Sequence, residues 1–244
     1  MNYQEFRQNL NVGEFISDIY VEVRGDDSNA NIVGFFLIRD HFESPSDLFF
    51  DYSRYEPIYI RSIFRKLNIE APAYWVYCDR ELTQFNVVSF PYAENNSSAL
   101  DAQRYQAFLE GLGNVQLSCR EARPPRYAQL LSSYSVWHYS LDWVCKCRDL
   151  DYIEIREDTP VAILEVTGRL NSEAHLKNSL NQIRNRLVLQ QRIMGLTENF
   201  LRVKSYFVLH TADLDRFYVF GNDWRTVGRF DCAGYRDWLE SLSL

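Results

Sequence analysis

The sequence predicts an α/β protein built from two tandem copies of one unit, each a mixed β-sheet flanked by helices. Segments of similar sequence recur in the same order at a nearly constant spacing. Between them, apolar residues alternate with polar ones in short runs, as in strands, or follow the 3.6-residue period of helices. With 46% hydrophobic and 15% aromatic residues, the 244-residue chain has the composition of a packed globular protein.

The duplication rests on three matched blocks. In the longest block, 132 positions separate Tyr74 from Tyr206, and the match continues for 14 residues without a gap. Shared strand propensity explains one such match, but not three in the same order. The blocks are 20–24 with 152–156, 74–87 with 206–219, and 101–112 with 231–242.

Each copy is predicted to follow the order αββαββα, with its strands in one mixed sheet. The predicted helices of the second copy include one at 126–133 and a long one from Ser172 to Met194, ended by Gly195. Polar residues and two prolines in 113–125 indicate the boundary between the copies. The predicted domains are therefore 1–116 and 117–244.

Composition excludes several classes of protein. No run of eighteen apolar residues is present, and the polar N-terminus is unlike a signal peptide. The five cysteines are odd in number and lack a framework spacing, which suits a reducing compartment. Cys145 and Cys147 lack the second pair of a zinc knuckle and are interpreted as strand cysteines. We expect a cytoplasmic protein with no membrane partner.

Acidic residues in the second copy form a candidate metal site. Asp149 and Asp151 are two apart on a predicted strand, so they share a face. Glu165 interrupts an apolar strand, where a carboxylate is costly unless it is paired or bound to a metal. A hairpin turning at 157–160 would bring Asp151 close to Glu165. Together with the carbonyl of Val166, these carboxylates would suit Mg²⁺ or Mn²⁺.

The segment 147–167, with the helix that follows and the strand at 206–209, resembles the PD-(D/E)XK nuclease superfamily. The resemblance covers about 126–220 and, through the repeat, much of 3–90. It implies two restriction-endonuclease-like units, a DNA partner and metal-dependent hydrolysis of phosphodiester bonds. The Asp and Glu of the family motif fall on Asp151 and Glu165.

The lysine of the family motif falls on Thr167, and there the match fails. That lysine orients and helps to deprotonate the attacking water, whereas a threonine hydroxyl is a poor base at neutral pH. Arg169 and Lys177 are the candidate replacements, and Gln182 is a candidate for orienting a phosphate. Asp149 is a further possible auxiliary residue or a solvated strand-end residue.

The first copy serves as an internal control. Ile19 aligns with Asp151, and 34–36 aligns with the Glu165 region, so the first copy has no acidic residue at either position. The chain therefore resembles a single-chain pseudodimer with one candidate site. Glu154 and Arg156 recur as Glu22 and Arg24, which predicts an inherited surface ion pair. His138 is predicted to belong to an aromatic packing cluster.

Three functional interpretations remain open from the sequence. The first is a Mg²⁺-dependent or Mn²⁺-dependent DNA endonuclease with one site. The second is a catalytically inactive protein of the same fold that binds nucleic acid, a protein partner or a second copy of itself. It is favoured by Thr167, by the net charge of −7 and by the degenerate first copy. The third is an unrelated α/β interaction protein in which the carboxylates are incidental.

Overall fold

A computed structural model of the chain describes residues 2–17, 19–25, 30–40, 58–90, 97–113, 133–139, 141, 146–170 and 173–242. Its helices are α1 Tyr3–Asn9, α2 Ile58–Glu70, α3 Ala102–Gly113, α4 Ser133–Tyr139, α5 Glu173–Arg186, α6 Val188–Leu201 and α7 Cys232–Ser241. Its strands are β1 Glu14–Ile16, β2 Ile19–Arg24, β3 Asn31–Asp40, β4 Ala73–Cys78, β5 Gln84–Ser89, β6 Ser97–Asp101, β7 Lys146–Leu150, β8 Tyr152–Arg156, β9 Thr159–Leu170, β10 Lys204–Thr211, β11 Arg216–Gly221 and β12 Thr226–Asp231. No helix among these residues is long and apolar enough to span a membrane.

The strands form two mixed sheets with the same internal order, which confirms the predicted α/β class. One sheet runs β6-β5-β4-β3-β2-β7 and the other runs β12-β11-β10-β9-β8-β1. In each sheet one parallel pair is joined through helices, β3 with β4 across α2 and β9 with β10 across α5 and α6. The other strand pairs whose register is described are antiparallel.

The two copies have exchanged their first helix and first strand. The chain divides into a first unit, Asp18–Asp149, and a second unit made of Met1–Ser17 with Leu150–Leu244. The segment α1–β1 therefore belongs to the second unit, and its counterpart α4–β7 belongs to the first. We call α1–β1 and α4–β7 the exchanged segments. The predicted division between 116 and 117 kept each segment with its own copy, so the structure divides the chain differently.

Three edge strands, β1, β6 and β12, were not predicted, and the fourth, β7, was expected only as part of the strand that continues to Asp151. They contain only three to six residues each. The residues of β6 and β12 are exposed or half-buried throughout, so no buried apolar face marks these strands in the sequence. Each unit consequently follows αβββαβββα, with the α between the two sets of strands split into α5 and α6 in the second unit.

The two units repeat the same aromatic contacts beneath their last helix. Phe85 stacks on Tyr105 with ring centroids 4.2 Å apart, and Phe217 stacks on Tyr235 at 4.1 Å. Each of these tyrosines also pairs its hydroxyl with a tyrosine of an exchanged segment. The pairs are Tyr105 with Tyr134 at 2.8 Å and Tyr235 with Tyr3 at 2.5 Å. Equivalent cores in equivalent sheets confirm the duplication.

The Glu-x-Arg sequence shared by β2 and β8 is buried, so the prediction of a surface ion pair was wrong. Glu22 and Glu154 are both 0% exposed. The arginines donate to carbonyls of the last helix of each unit, Arg24 to Leu109 at 2.9 Å and Arg156 to Leu239 at 2.7 Å. An alternating strand shows which residues share a face, but not which face a helix will cover.

The long helix of the second copy is two helices, and Gly195 does not end either of them. The break lies at Leu187, whose φ of −102° and ψ of 15° leave the helical range. Gly195 lies inside α6, where an added Cβ would be 3.0 Å from Asn222 Nδ2. Close packing therefore explains this glycine, and α6 ends at the left-handed residue Arg202. The predicted boundary at 114–125 and most of the predicted helix at 126–133 lie outside the described residues.

The paired buried tyrosines predict loss of stability at high pH. Burial raises the pKa of Tyr3, Tyr105, Tyr134 and Tyr235 above the ordinary value of 10. The folded protein therefore keeps these protons while the unfolded chain releases them. The resulting stabilisation is complete below about pH 10 and is lost as the pH rises above it.

Circular dichroism and tyrosinate absorbance followed in one alkaline titration test this. We expect the absorbance of these tyrosines to rise together with the loss of helix and sheet signal. Ionisation of all tyrosines with the folded spectrum retained would contradict the prediction. Tyr218→Phe on β11, which changes a tyrosine outside these two hydroxyl pairs, is the control and should leave the transition in place.

Candidate functional site

A tight hairpin between β8 and β9 positions the two predicted metal ligands. Its turn residues Glu157 and Asp158 have φ of 47° and 60°, the left-handed values that a two-residue hairpin needs. Tyr152 pairs with Leu164 across the antiparallel ladder. The ladder ends at that pair, and continuing its register by one residue would set Asp151 opposite Glu165.

Each carboxylate is half-buried and accepts a hydrogen bond from an amide. The Val166 amide donates to Asp151 Oδ2 at 2.7 Å. Gln190 Nε2, on α6, donates to Glu165 Oε2 at 2.6 Å. Both donors are neutral amides, and each orients the carboxylate oxygen that it reaches.

A β-bulge follows the site on β9. Val166 is in register with Val208, but the next described pair is Arg169 with His210, so β9 carries one extra residue there. The parallel pair β3–β4 of the first unit runs in register from Phe35 to Asp40 without such a shift. Bulges of this kind re-aim side chains and are frequent beside active sites.

Asp151 lines a cavity of about 150 Å³. Tyr3, Val166 and His210 are among the other residues that line it. His210 is buried, and its Nδ1 lies 2.7 Å from the carbonyl oxygen of Thr211. Because a carbonyl oxygen only accepts, this contact places the ring proton on Nδ1 and makes Nε2 the basic nitrogen of the neutral ring.

The structure separates some residues that the sequence had grouped. Asp149 is exposed in β7 of the first unit, and Asp151 lies between β7 and β8, so the two are not on one strand. Gln182 is exposed on α5 and lines a different cavity with Ser179 and Arg186. Thr167 is half-buried in β9. The side chains of Arg169 and Lys177 lie outside the described residues.

The strand register refines the comparison with the first copy. Tyr20 pairs with Phe36 as Tyr152 pairs with Leu164, so the counterpart of Glu165 is Leu37 and not a residue of 34–36. The shift arises because the β2–β3 connection is longer than the β8–β9 turn. Ile19 and Leu37, both 0% exposed, thus replace the two carboxylates with core residues.

Sequence reasoning missed Gln190 and His210. Gln190 was hidden because its burial depends on the packing of α6 against the sheet. His210 had a signal in the repeat, since it aligns with Cys78 within the longest matched block. The residues that distinguish the second copy are therefore Asp151, Glu165 and His210.

Comparisons with known proteins leave the family unassigned. No family model matches the chain, and no curated protein matches it. Among solved structures, the sex pheromone staph-cAM373 precursor aligns with 86% of this chain and 74% of its own, at 10% identity and a TM-score of 0.18. A likeness at that level carries no argument about fold or function, so the resemblance to PD-(D/E)XK nucleases stays a prediction.

Proposed function

We propose that the second unit hydrolyses phosphodiester bonds in DNA with a divalent cation at Asp151 and Glu165. The observation that carries the proposal is the β8–β9 hairpin, whose register, continued one residue past Tyr152 and Leu164, would set Asp151 opposite Glu165 beside a bulge. The first unit has two core residues, Ile19 and Leu37, at the same positions. Partial burial of a carboxylate is costly unless it is hydrogen-bonded, paired or bound to a metal, and the first copy avoids this cost at both positions.

The donor set fits a hard cation. Asp151, Glu165 and the carbonyl of Val166 are oxygen donors of the kind that Mg²⁺ and Mn²⁺ prefer. A bound ion would supply water activation and neutralisation of charge on the phosphodiester. The amides of Val166 and Gln190 orient the two carboxylates, at 2.7 and 2.6 Å.

His210 is the candidate base on the Asp151 side of the site: it lies on the sheet face that α1 covers, whereas Glu165 is bonded to α6 on the other face. It lines the same cavity as Asp151 and presents Nε2 as its basic nitrogen. In this role His210 accepts the proton of the attacking water, which is the task of the family's lysine. The ring stacks on Tyr3 with centroids 5.8 Å apart, and this packing fixes its plane.

Nicking of supercoiled plasmid in Mg²⁺ or Mn²⁺ tests the site. We expect Asp151→Ala and Glu165→Ala to abolish nicking and cation binding measured by calorimetry. His210→Gln should lower the rate by about 10²–10⁴-fold while cation affinity is kept, since a general base contributes that much. Asp237→Ala removes an exposed carboxylate of α7 and is the matched control, with full activity expected.

Two results would overturn the hydrolase proposal. One is wild-type protein that neither binds the cation nor nicks DNA. The other is protein that binds DNA in a salt-dependent way without cleaving it at any cation concentration. The second result would favour a catalytically inactive nuclease-like module, the candidate that Thr167 supports.

A further inference from the structure

Each unit buries a glutamate and brings a side chain to it from an exchanged segment. In the second unit Arg7 of α1 donates to Glu154 through Nε at 2.9 Å and through Nη2 at 2.5 Å. In the first unit His138 of α4 contacts Glu22 Oε1 through Nε2, and Arg24 Nη1 lies 3.1 Å from Oε2. Arg7 and His138 thus occupy equivalent places in the two units.

The edge strand beside this side chain also carries a different residue in each unit. In the second unit Phe15 of β1 lies under the Arg7 guanidinium, 5.3 Å from its carbon to the ring centroid. In the first unit the equivalent residue is Cys147 of β7, because 132 positions separate it from Phe15. A guanidinium on an aromatic ring is therefore replaced by an imidazole beside a thiol.

The three side chains of the first unit converge. An oxygen of Glu22, a ring nitrogen of His138 and the sulfur of Cys147 all lie within 4.8 Å of one another. Glu22 is 0% and His138 3% exposed, while Cys147 is half-buried. Among the described residues, this is the one group in which three such donors lie close enough to share an ion.

We propose that Glu22, His138 and Cys147 bind a divalent cation of the zinc class. Thiolate, imidazole and carboxylate are the ligands that Zn²⁺ takes in proteins, and three protein ligands leave a fourth position for water or an exogenous ligand. Sulfur and nitrogen donors do not suit Mg²⁺, so this site differs in chemistry from the oxygen site at Asp151 and Glu165. It lies in the first unit and stands independently of the phosphodiesterase proposal.

Charge balance supports the assignment. A buried carboxylate is costly without a compensating cation. In the second unit Arg7 supplies a permanent positive charge to Glu154. In the first unit a metal ion held by His138 and Cys147 supplies it at the corresponding carboxylate oxygen, while Arg24 stays on the other oxygen.

Titration of the reduced, chelator-treated full chain with Co²⁺ tests the site. Co²⁺ bound by a thiolate gives a charge-transfer band, and we expect a band that saturates at one equivalent and is displaced by Zn²⁺. Cys147→Ser and His138→Gln should abolish it. Cys232→Ser, which removes an exposed cysteine, is the matched control and should retain it.

A second variant separates loss of the site from loss of the fold. The double substitution His138→Arg with Cys147→Phe installs the pair that the second unit already uses. It should fold with a cooperative thermal transition, bind no Co²⁺ and show no rise in Tm on adding Zn²⁺, whereas the wild type shows both. A wild-type protein without the thiolate band, or a band that survives Cys147→Ser, would overturn the proposal.

Discussion

Residues 1–116 and 117–244, produced as separate chains, are expected to remain unfolded alone and to fold when mixed. Most of each fragment belongs to one unit. The exchanged segment that completes that unit lies in the other fragment. Fragment 117–244 lacks α1, so Phe6 no longer stacks on Phe217 and Tyr3 no longer pairs with Tyr235. Fragment 1–116 lacks α4 and β7, and with them the hydroxyl partner of Tyr105.

The size of this effect follows from what α1 buries. Tyr3, Phe6 and Arg7 are each buried, and removing a buried aromatic side chain alone costs about 3–5 kcal/mol. Total stabilities are about 5–15 kcal/mol, so loss of the whole segment is expected to exceed what a fragment can tolerate. Circular dichroism and gel filtration of each fragment, then of the equimolar mixture, measure the outcome.

A differently cut chain provides the control. Residues 18–149 form the first unit as one continuous segment. This fragment should fold by itself, although it differs little in length from 117–244. A cooperative thermal transition in isolated 117–244 would contradict the segment exchange.

Arg7→Met is expected to be the most destabilising single substitution in the second unit. The substitution removes the closest cation from Glu154, which is 0% exposed. Among the described residues, Arg156 at 3.4 Å is then the cation that pairs with this carboxylate. Breaking a buried pair by removing one partner typically costs about 3–5 kcal/mol. Urea unfolding of the variant and the wild type gives the difference in free energy.

A double-mutant cycle identifies the cause. Arg7→Met combined with Glu154→Leu removes both charges from the core and should recover most of the loss, since apolar residues often replace buried pairs at little cost. Arg236→Ala, which removes the exposed partner of Glu240, should change stability by about 0.3–0.5 kcal/mol. A cost below about 1 kcal/mol for Arg7→Met would contradict a compensating role for this arginine.

The sequence predicts the inner strands of each sheet because burial gives their apolar residues a regular spacing along the chain. The predicted strand at 206–209, for example, lies inside β10. The exchange could not be predicted, because the two copies of the first helix carry similar chemistry. Tyr3 and Tyr134 each make the same hydroxyl contact, so neither shows which unit it serves.

The candidate site was predictable where polarity conflicts with burial. Glu165 interrupts an apolar strand, and that conflict marked it in the sequence. Gln190 lies on a helix of mixed polarity, and only the packing of α6 shows that its amide reaches Glu165 at 2.6 Å. Glu22 was placed on the surface because its cover, α4, comes from a part of the chain more than a hundred residues away.

The exchanged segments also make the fold of each copy depend on residues of the other copy. Arg7 and Glu154 are 147 positions apart, yet they form one ion pair in one core. A substitution in the first helix of either copy therefore alters the packing against the sheet of the other copy. A domain-swapped dimer of a single-unit protein, in which each molecule exchanges its first helix and strand, would have the same two sheets. Fusion of its two chains would give the connectivity seen here. In such a fused chain, a substitution in the first helix or strand of one copy must stay compatible with the sheet of the other.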